Sequence, residues 1–271
     1  MIFGLMRHIF LCVFGMLFLF PFVWMILTSF KPENEIFSLD FSFFPSEFGL
    51  VENYTKAFSE IPLMRFLWNG FVVSVGILVI QILVAYPCAY ALSKHKFLGR
   101  KLFLSIVVCC LLIPTQVICV PLYVLIHSLD LLDTYVSLIL PFTISVFGIF
   151  LIRQFINTIP NDLIYAAKMD GFSEFSIVWK IILPLTTPAL ISFGIFSIVA
   201  HWNDYFWPLI VVSSPELFTP TLGVAAFKNN EAGSHYGALM AAACVVVIPL
   251  LVLFLLLQKK FMQGIATTGI K

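Results

Sequence analysis

Six stretches of this chain carry no Asp, Glu, Lys or Arg over residues 9–30, 66–93, 102–126, 134–152, 185–203 and 237–257. A helix needs roughly 20 apolar residues to cross the hydrocarbon of a bilayer, and each run is close to or beyond that length. In hydrocarbon every backbone N–H and C=O must be satisfied within the protein, so long unbroken apolar runs specify helices. Barrel strands would be shorter and would alternate. With 61% hydrophobic and 11% charged residues in a chain of 271, there is too little charge to clothe a water-soluble domain of this size. The expected fold class is therefore an all-α membrane protein with six transmembrane helices in a single domain. The approximate spans are 9–30, 67–92, 102–126, 134–152, 185–207 and 237–257. Arg7 and His8 precede the first run as they would a secretory signal. The run is longer than a signal core, and no small-x-small cleavage site follows Phe30, so it reads as a retained helix.

Lys and Arg placement sets the orientation. With the N-terminus inside, eleven of the fifteen Lys and Arg residues fall in cytoplasmic segments, including Lys94, Lys96, Arg100, Lys101, Arg153, Lys168 and Lys180. Lys31, Lys56, Arg65 and Lys228 lie outside. Both termini are expected in the cytoplasm. The six cysteines lie inside apolar runs with no CxxC pair, and read as small buried hydrophobes rather than metal or redox groups. No basic patch interleaved with aromatics occurs, and no nucleic-acid partner is expected. Outside the membrane, the first sizeable segment holds a short amphipathic helix around residues 53–58. Pro114, beside Gln116, removes a backbone donor and is expected to kink the third span. Gln116 reads either as part of a pathway or as an ordinary polar neighbour of that kink.

Between the fourth and fifth runs lies a polar insert at 160–183, expected on the cytoplasmic side. Pro160 suits a first helical turn, with Asn161 or Thr158 as cap. A short helix then runs from about Asp162 to Met169 or Asp170, Gly171 ends it in the left-handed conformation, and Ser173 caps a second helix running to Leu183. Pro184 marks the entry to the fifth span. The small pair Ala166 and Ala167 lets another surface approach the backbone, with Tyr165, Met169 and Phe172 as apolar anchors around it. The alternative is an amphipathic helix lying at the lipid headgroups.

The pattern Ala166-Ala167, Asp170-Gly171 and Leu183-Pro184 resembles the cytoplasmic loop of binding-protein-dependent ABC importer permeases. Further likeness to the carbohydrate-uptake branch, relatives of the maltose and glycerol-3-phosphate permeases, lies in Asn69, residues 89–92, 113–117, 132–135, 147–151, 202–205 and 207–209, and the tail 261–271. The resemblance covers essentially the whole chain. It implies the six-helix permease fold of a type I ABC importer, with the insert as a coupling helix, in a bacterial plasma membrane. It further implies a sister permease, two ATPase subunits that bind ATP and Mg, an extracytoplasmic substrate-binding protein, and no cofactor in this chain. By resemblance, Tyr165, Ala166, Ala167, Met169, Asp170, Gly171 and Phe172 dock the ATPase. One departure stands out: Tyr165 takes the place of the family's glutamate, so an ion pair gives way to a hydroxyl and a ring. Phe172 replaces the usual small residue after the glycine.

For the substrate pathway the candidates are Gln116, Trp202, Asn203, Asp204 and Tyr205. Amides and carboxylates pair with sugar hydroxyls and aromatic rings stack on sugar faces, although aromatics also form an ordinary interface belt. Asn229, Asn230 and His235 are candidates for contact with the binding protein. No GxxxxGK[ST], HExxH or GxSxG sequence occurs, and Asp170 is a helix-end residue rather than a catalytic acid. Three rivals remain. An ion-coupled carrier would want charged residues at mid-membrane. A membrane enzyme would want convergent groups, whereas His8, His95, His127, His201 and His235 are scattered over both surfaces. An ABC permease for amino acids or peptides would differ only in its ligands.

Overall fold

The computed structural model describes residues 2–38, 42–227 and 235–266, and among these every regular element is a helix. Short turns at Glu33–Ile36 and Pro215–Leu217 aside, the helices in chain order are α1 (Ile2–Ser29), α2 (Leu50–Ser59), α3 (Leu63–Lys94), α4 (Arg100–Cys110), α5 (Thr115–Ser128), α6 (Tyr135–Phe142) and α7 (Val146–Thr158). They continue with α8 (Asn161–Met169), α9 (Glu174–Leu185), α10 (Thr187–Trp202), α11 (Phe206–Val211), α12 (Pro220–Phe227) and α13 (Tyr236–Ala266). By length and composition three helices suffice to cross a membrane: Gly4–Ser29, Leu63–Lys94 and Tyr236–Phe261. Three bent pairs bring the number to six if each counts as one crossing: α4–α5 at 100°, α6–α7 at 44° and α9–α10 at 81°. The chain divides into two compact units, Met1–Leu67 with Pro220–Pro249, and Trp68–Thr219 with Leu250–Lys271.

In the first unit, α1 is apolar on every side and leaves Leu17, Phe18 and Phe20 exposed. A helix of this kind is covered by lipid or by another protein. The carbonyl of its last residue has no intrahelical partner, and the buried Asn53 supplies one. The Asn53 amide donates to Ser29 O at 2.9 Å and to Lys31 O at 2.8 Å, which ties α2 to the end of α1. Gly49 makes the close entry to α2, since a Cβ there would lie 2.9 Å from Pro32 N. Beside it, Glu35 gathers the loop by accepting from Ser42 Oγ at 2.6 Å and Ser46 Oγ at 3.0 Å.

In the second unit, one core joins Tyr86, Ile152, Ile156, Ile177, Ile182 and Phe193, and another joins Ile77, Ile126, Leu138, Trp207 and Val211. Gly148 lets α7 close on α10, because a Cβ there would meet Phe193 Cζ at 2.6 Å. The break around Pro114 is sharper than the expected kink. Pro114 is extended, at ψ 136°, and the helix restarts only at Thr115. The fifth run also differs from one straight span over 185–207: α10 starts after the bend at Thr186, ends at Trp202, and α11 begins at Phe206. At the Thr186 bend the Tyr86 and Thr186 hydroxyls meet at 2.6 Å. Pro184, with no N–H, and Pro188, in the first turn of α10, both favour an interruption there.

Candidate functional site

The insert consists of α8, a turn and α9. Asp170 is followed by Gly171 at φ 83°. Phe172 N donates to Ala167 O and Gly171 N to Lys168 O, each at 3.0 Å, which is the paired bonding of a Schellman stop. Ser173 Oγ then accepts from Ser176 N at 3.3 Å and caps α9, whose residues Ile177–Ile182 widen into a π-helix. The start of α8 differs from the expectation. Pro160 itself occupies the cap position, Asn161 Oδ1 accepts from Lys94 Nζ at 3.2 Å, and Thr158 Oγ1 turns back to Phe155 O at 2.8 Å.

Six of the seven residues assigned to docking are exposed: Tyr165 (60%), Ala166, Met169 (88%), Asp170, Gly171 and Phe172. Ala167 is not. It is 5% exposed and joins Ile164 in the core with Tyr90, Ile156 and Ile177. Its small side chain lets α8 lie close on its own chain, and only Ala166 of the pair faces outward. Phe175, which the sequence did not single out, adds to the exposed apolar face.

A charged joint that sequence spacing does not reveal lies behind this face. Glu174 Oε1 is paired with Lys168 Nζ, while Glu174 Oε2 accepts from Tyr90 OH at 3.0 Å and lies 3.6 Å from His95 Nε2. Partial burial opposes ionisation of Glu174, but the Lys168 ammonium and the Tyr90 hydroxyl outweigh it, and the carboxyl titrates below its ordinary value. Lys94 donates to Ile159 O and reaches Asn161, and Ser93 Oγ donates to Asn157 Oδ1 at 2.6 Å. The guanidinium groups of Arg100 and Arg153 both donate to Leu92 O, at 2.9 and 3.2 Å, where the last carbonyls of α3 favour positive charge.

The pathway candidates differ in exposure. Trp202 is buried, whereas Gln116, Asn203 and Tyr205 are exposed. Asn203 Nδ2 donates back to Val199 O at 2.8 Å. Asp204 Oδ1 accepts from Phe206 N at 3.1 Å and Trp207 N at 3.3 Å, the local bonding of a turn that starts α11. Asn229 and Asn230 lie outside the described residues. In the first unit, His235 Nδ1 lies 3.3 Å from Glu33 Oε2, and Tyr236 N donates to Glu33 Oε1 at 3.1 Å.

The buried polar cluster of the second unit is centred on Gln81 instead. Gln81 Nε2 donates to Phe142 O at 2.7 Å, Ser197 Oγ donates to Gln81 Oε1 at 2.7 Å, and His201 Nε2 lies 3.4 Å from Gln81 Nε2. His201, read from sequence as a surface histidine, is drawn in beside Phe142, ring centroids 4.9 Å apart. Two amides, Asn69 and Gln81, inside the long run 66–93 were the available signal. Asn69 is a second hub, donating to Glu216 O and Phe218 O at 2.8 and 2.9 Å and accepting from Tyr135 OH at 2.6 Å. Among the described residues no group of three or more His, Cys, Asp or Glu is placed to hold a metal ion. Of the cysteines only Cys119 and Cys244 are buried; Cys12 and Cys109 are exposed.

Comparison with known proteins agrees with this architecture. The family model described as the binding-protein-dependent transport system inner membrane component matches residues 81–267. The arabinooligosaccharides transport system permease protein of Halalkalibacterium halodurans is 33% identical over 255 residues, 93% of this chain and 91% of the relative. The sn-glycerol-3-phosphate transport system permease protein of Brucella abortus is 30% identical over 273 residues, 98% of this chain and 96% of the relative. A chain from the crystal structure of a bacterial ABC transporter involved in the import of the acidic polysaccharide alginate superposes with a TM-score of 0.84. That likeness covers 96% of both chains at 23% identity, so the two share a fold.

Proposed function

The chain belongs to the inner membrane components of binding-protein-dependent transport systems, and from that premise we propose that it forms half of the membrane pathway of an ABC importer for a sugar, an oligosaccharide or a polyol phosphate. It is a multi-pass membrane protein with the fold of a type I importer permease. The cargo class is supported by the relatives named for arabinooligosaccharides and sn-glycerol-3-phosphate. Both termini and the insert face the cytoplasm of a bacterial cell, in keeping with the distribution of Lys and Arg. The chain itself is a permease and not an enzyme; ATP and Mg belong to two ATPase subunits, and a sister permease completes the pathway. An extracytoplasmic binding protein delivers cargo, in keeping with the bacterial alginate ABC transporter in complex with an alginate pentasaccharide-bound periplasmic protein.

The observation that carries the reading is the insert. A loop that merely reverses the chain at a membrane surface needs a few residues, whereas this one is a helix, a Schellman turn and a second helix capped by Ser173. Tyr165, Met169 and Phe172 stand exposed on it. With Tyr165 where the family has glutamate, α8 docks through packing and a hydroxyl rather than through an ion pair. ATP-driven closure of the ATPases moves α8, and the two permeases rock between inward-open and outward-open states. Mass spectrometry of what co-purifies with the chain in mild detergent tests this. The expected partners are an ATPase with a Walker motif and a second permease. Recovery of the chain alone, under conditions that preserve known transporter complexes, would refute it.

A further inference from the structure

The helix α3 has 32 residues, about 48 Å at 1.5 Å per residue, against roughly 30 Å of hydrocarbon. It therefore projects beyond the membrane, and its last turns meet the insert. Two contacts hold α8 to it there. At the start of α8, Lys94 bonds Ile159 O and Asn161 Oδ1. At its end the Glu174 carboxylate collects Lys168 of α8, across the Gly171 turn, together with Tyr90 of α3 and His95 just beyond it. One carboxylate thus joins both arms of the insert to the end of α3. Held at two points on one side, α8 is hindered from rotating independently of α3. At the opposite end of the same helix, Asn69 holds the carbonyls of Glu216 and Phe218 and the hydroxyl of Tyr135. Between the two, Gln81 is bonded to α6 and α10.

We propose that Glu174 is a positioning residue for transport: it locks the docking helix to α3, so that α3 works as a rod carrying the movement of the insert to the outer rim. The proposal rests on the reading of α8 as the ATPase-docking helix. Glu174 does not touch the ATPase in this scheme; it acts through Lys168 and Tyr90. Loss of its charge leaves docking and ATP hydrolysis in place and lowers the amount of cargo moved per ATP.

The test uses the whole transporter in proteoliposomes with its binding protein, and measures uptake and ATP hydrolysis in the same preparation. Docking is followed separately by cross-linking a cysteine at position 169 (Met169→Cys) to the ATPase. For Glu174→Gln, which keeps the side-chain shape, the expected result is unchanged cross-linking, hydrolysis within about twofold of the parent, and uptake per ATP lowered about tenfold. That is the scale of one lost charge-assisted contact. Tyr90→Phe should shift the ratio in the same direction by less. An unchanged ratio of uptake to hydrolysis in Glu174→Gln, whether both rates hold or fall together, overturns the role of Glu174 while leaving docking intact. Absence of the cross-link when Met169→Cys is the only change would instead overturn docking by α8, and with it this proposal.

Discussion

Gly171 is where the geometry of the insert makes its sharpest demand. Its φ of 83° lies in the left-handed region, and a Cβ built there meets no heavy atom of the chain within 4 Å. Substitution therefore strains the backbone without creating a clash. An L-residue in the left-handed conformation costs about 1–2 kcal/mol, and a β-branched one more, while Asn is well tolerated there and is itself used to end helices. Since about 1.4 kcal/mol is a factor of ten, Gly171→Ala should lower the equilibrium constant for forming the docking-competent turn by roughly 5- to 30-fold. Gly171→Val should abolish coupled uptake, and Gly171→Asn should stay within about threefold of the parent. The assay is ATP-dependent uptake in proteoliposomes, normalised to the amount of inserted chain, which all three variants should leave unchanged. The order of the variants carries the information. If Asn proves as damaging as Val, side-chain bulk against a docked partner is responsible and the left-handed turn is not. Full uptake by Val would refute the requirement for the turn altogether.

Asp204 separates a turn-forming role from a cargo-binding one. If its task is to bond the N–H groups of Phe206 and Trp207, Asp204→Asn should transport normally while Asp204→Ala loses about 0.5–2 kcal/mol of local stability. Uptake lost in both variants, with assembly intact, would assign the carboxylate to the pathway. Gly148→Ala should lower the melting temperature of the detergent-solubilised protein, by an overpacking cost of about 1–3 kcal/mol against Phe193; an unchanged melting temperature would mean that the ring yields freely. Asp133 accepts from Ser213 N and Ser214 N, each at 2.9 Å, and pairs with Ser214 Oγ. The Ser214 hydroxyl, aided by these backbone bonds, holds the carboxyl below its ordinary 3.8. A carboxyl depressed on folding stabilises above its unfolded value and loses that contribution as pH falls through the folded value. The stability gap between the parent and Asp133→Asn should accordingly be constant above about pH 5 and narrow on further acidification. A gap that does not narrow as the pH falls would contradict this.

The apolar runs announce the class because hydrocarbon tolerates almost no other reading of them, and the Gly171 stop is legible because few residues accept its backbone angles. The three bends are harder to read. Pro114 signals an interruption, yet proline also sits inside α1, α3, α5 and α13 without ending them, so the residue type alone does not separate a kink from a 100° break. Which face of α8 turns inward is likewise settled by tertiary packing: Ala166 and Ala167 are equally small, and only the core of Tyr90, Ile156 and Ile177 decides that Ala167 is the buried one. Glu174 was invisible for another reason. Its partners Tyr90 and His95 lie some eighty residues away along the chain, and Lys168 stands across a glycine turn, outside the three- or four-residue spacing of ion pairs on one helix.

The polar residues scattered through the apolar runs have a common physical task. A bend within the membrane leaves carbonyls without an intrahelical donor, and no water is there to replace it. Where α6 stops, Gln81 donates to Phe142 O, and Ser197 holds the other side of that amide. Trp207 Nε1 donates to Ser137 O at 2.8 Å, and Ser145 Oγ accepts from Gly148 N at 3.0 Å where α7 restarts. At the α9–α10 bend, Thr186 Oγ1 adds a second bond to Ile182 O at 3.1 Å, beside that of its own N–H, while meeting Tyr86. A lone Gln, Ser or Thr in such a run therefore marks a joint of the helix bundle before it marks a route for cargo. Gln116 differs from these. It follows the 100° bend, yet its side chain is exposed, which leaves its amide open to whatever occupies the space beside that bend. Of the pathway candidates, Gln116 thus keeps the stronger case, and Asp204, with its carboxylate already committed to the start of α11, the weaker one.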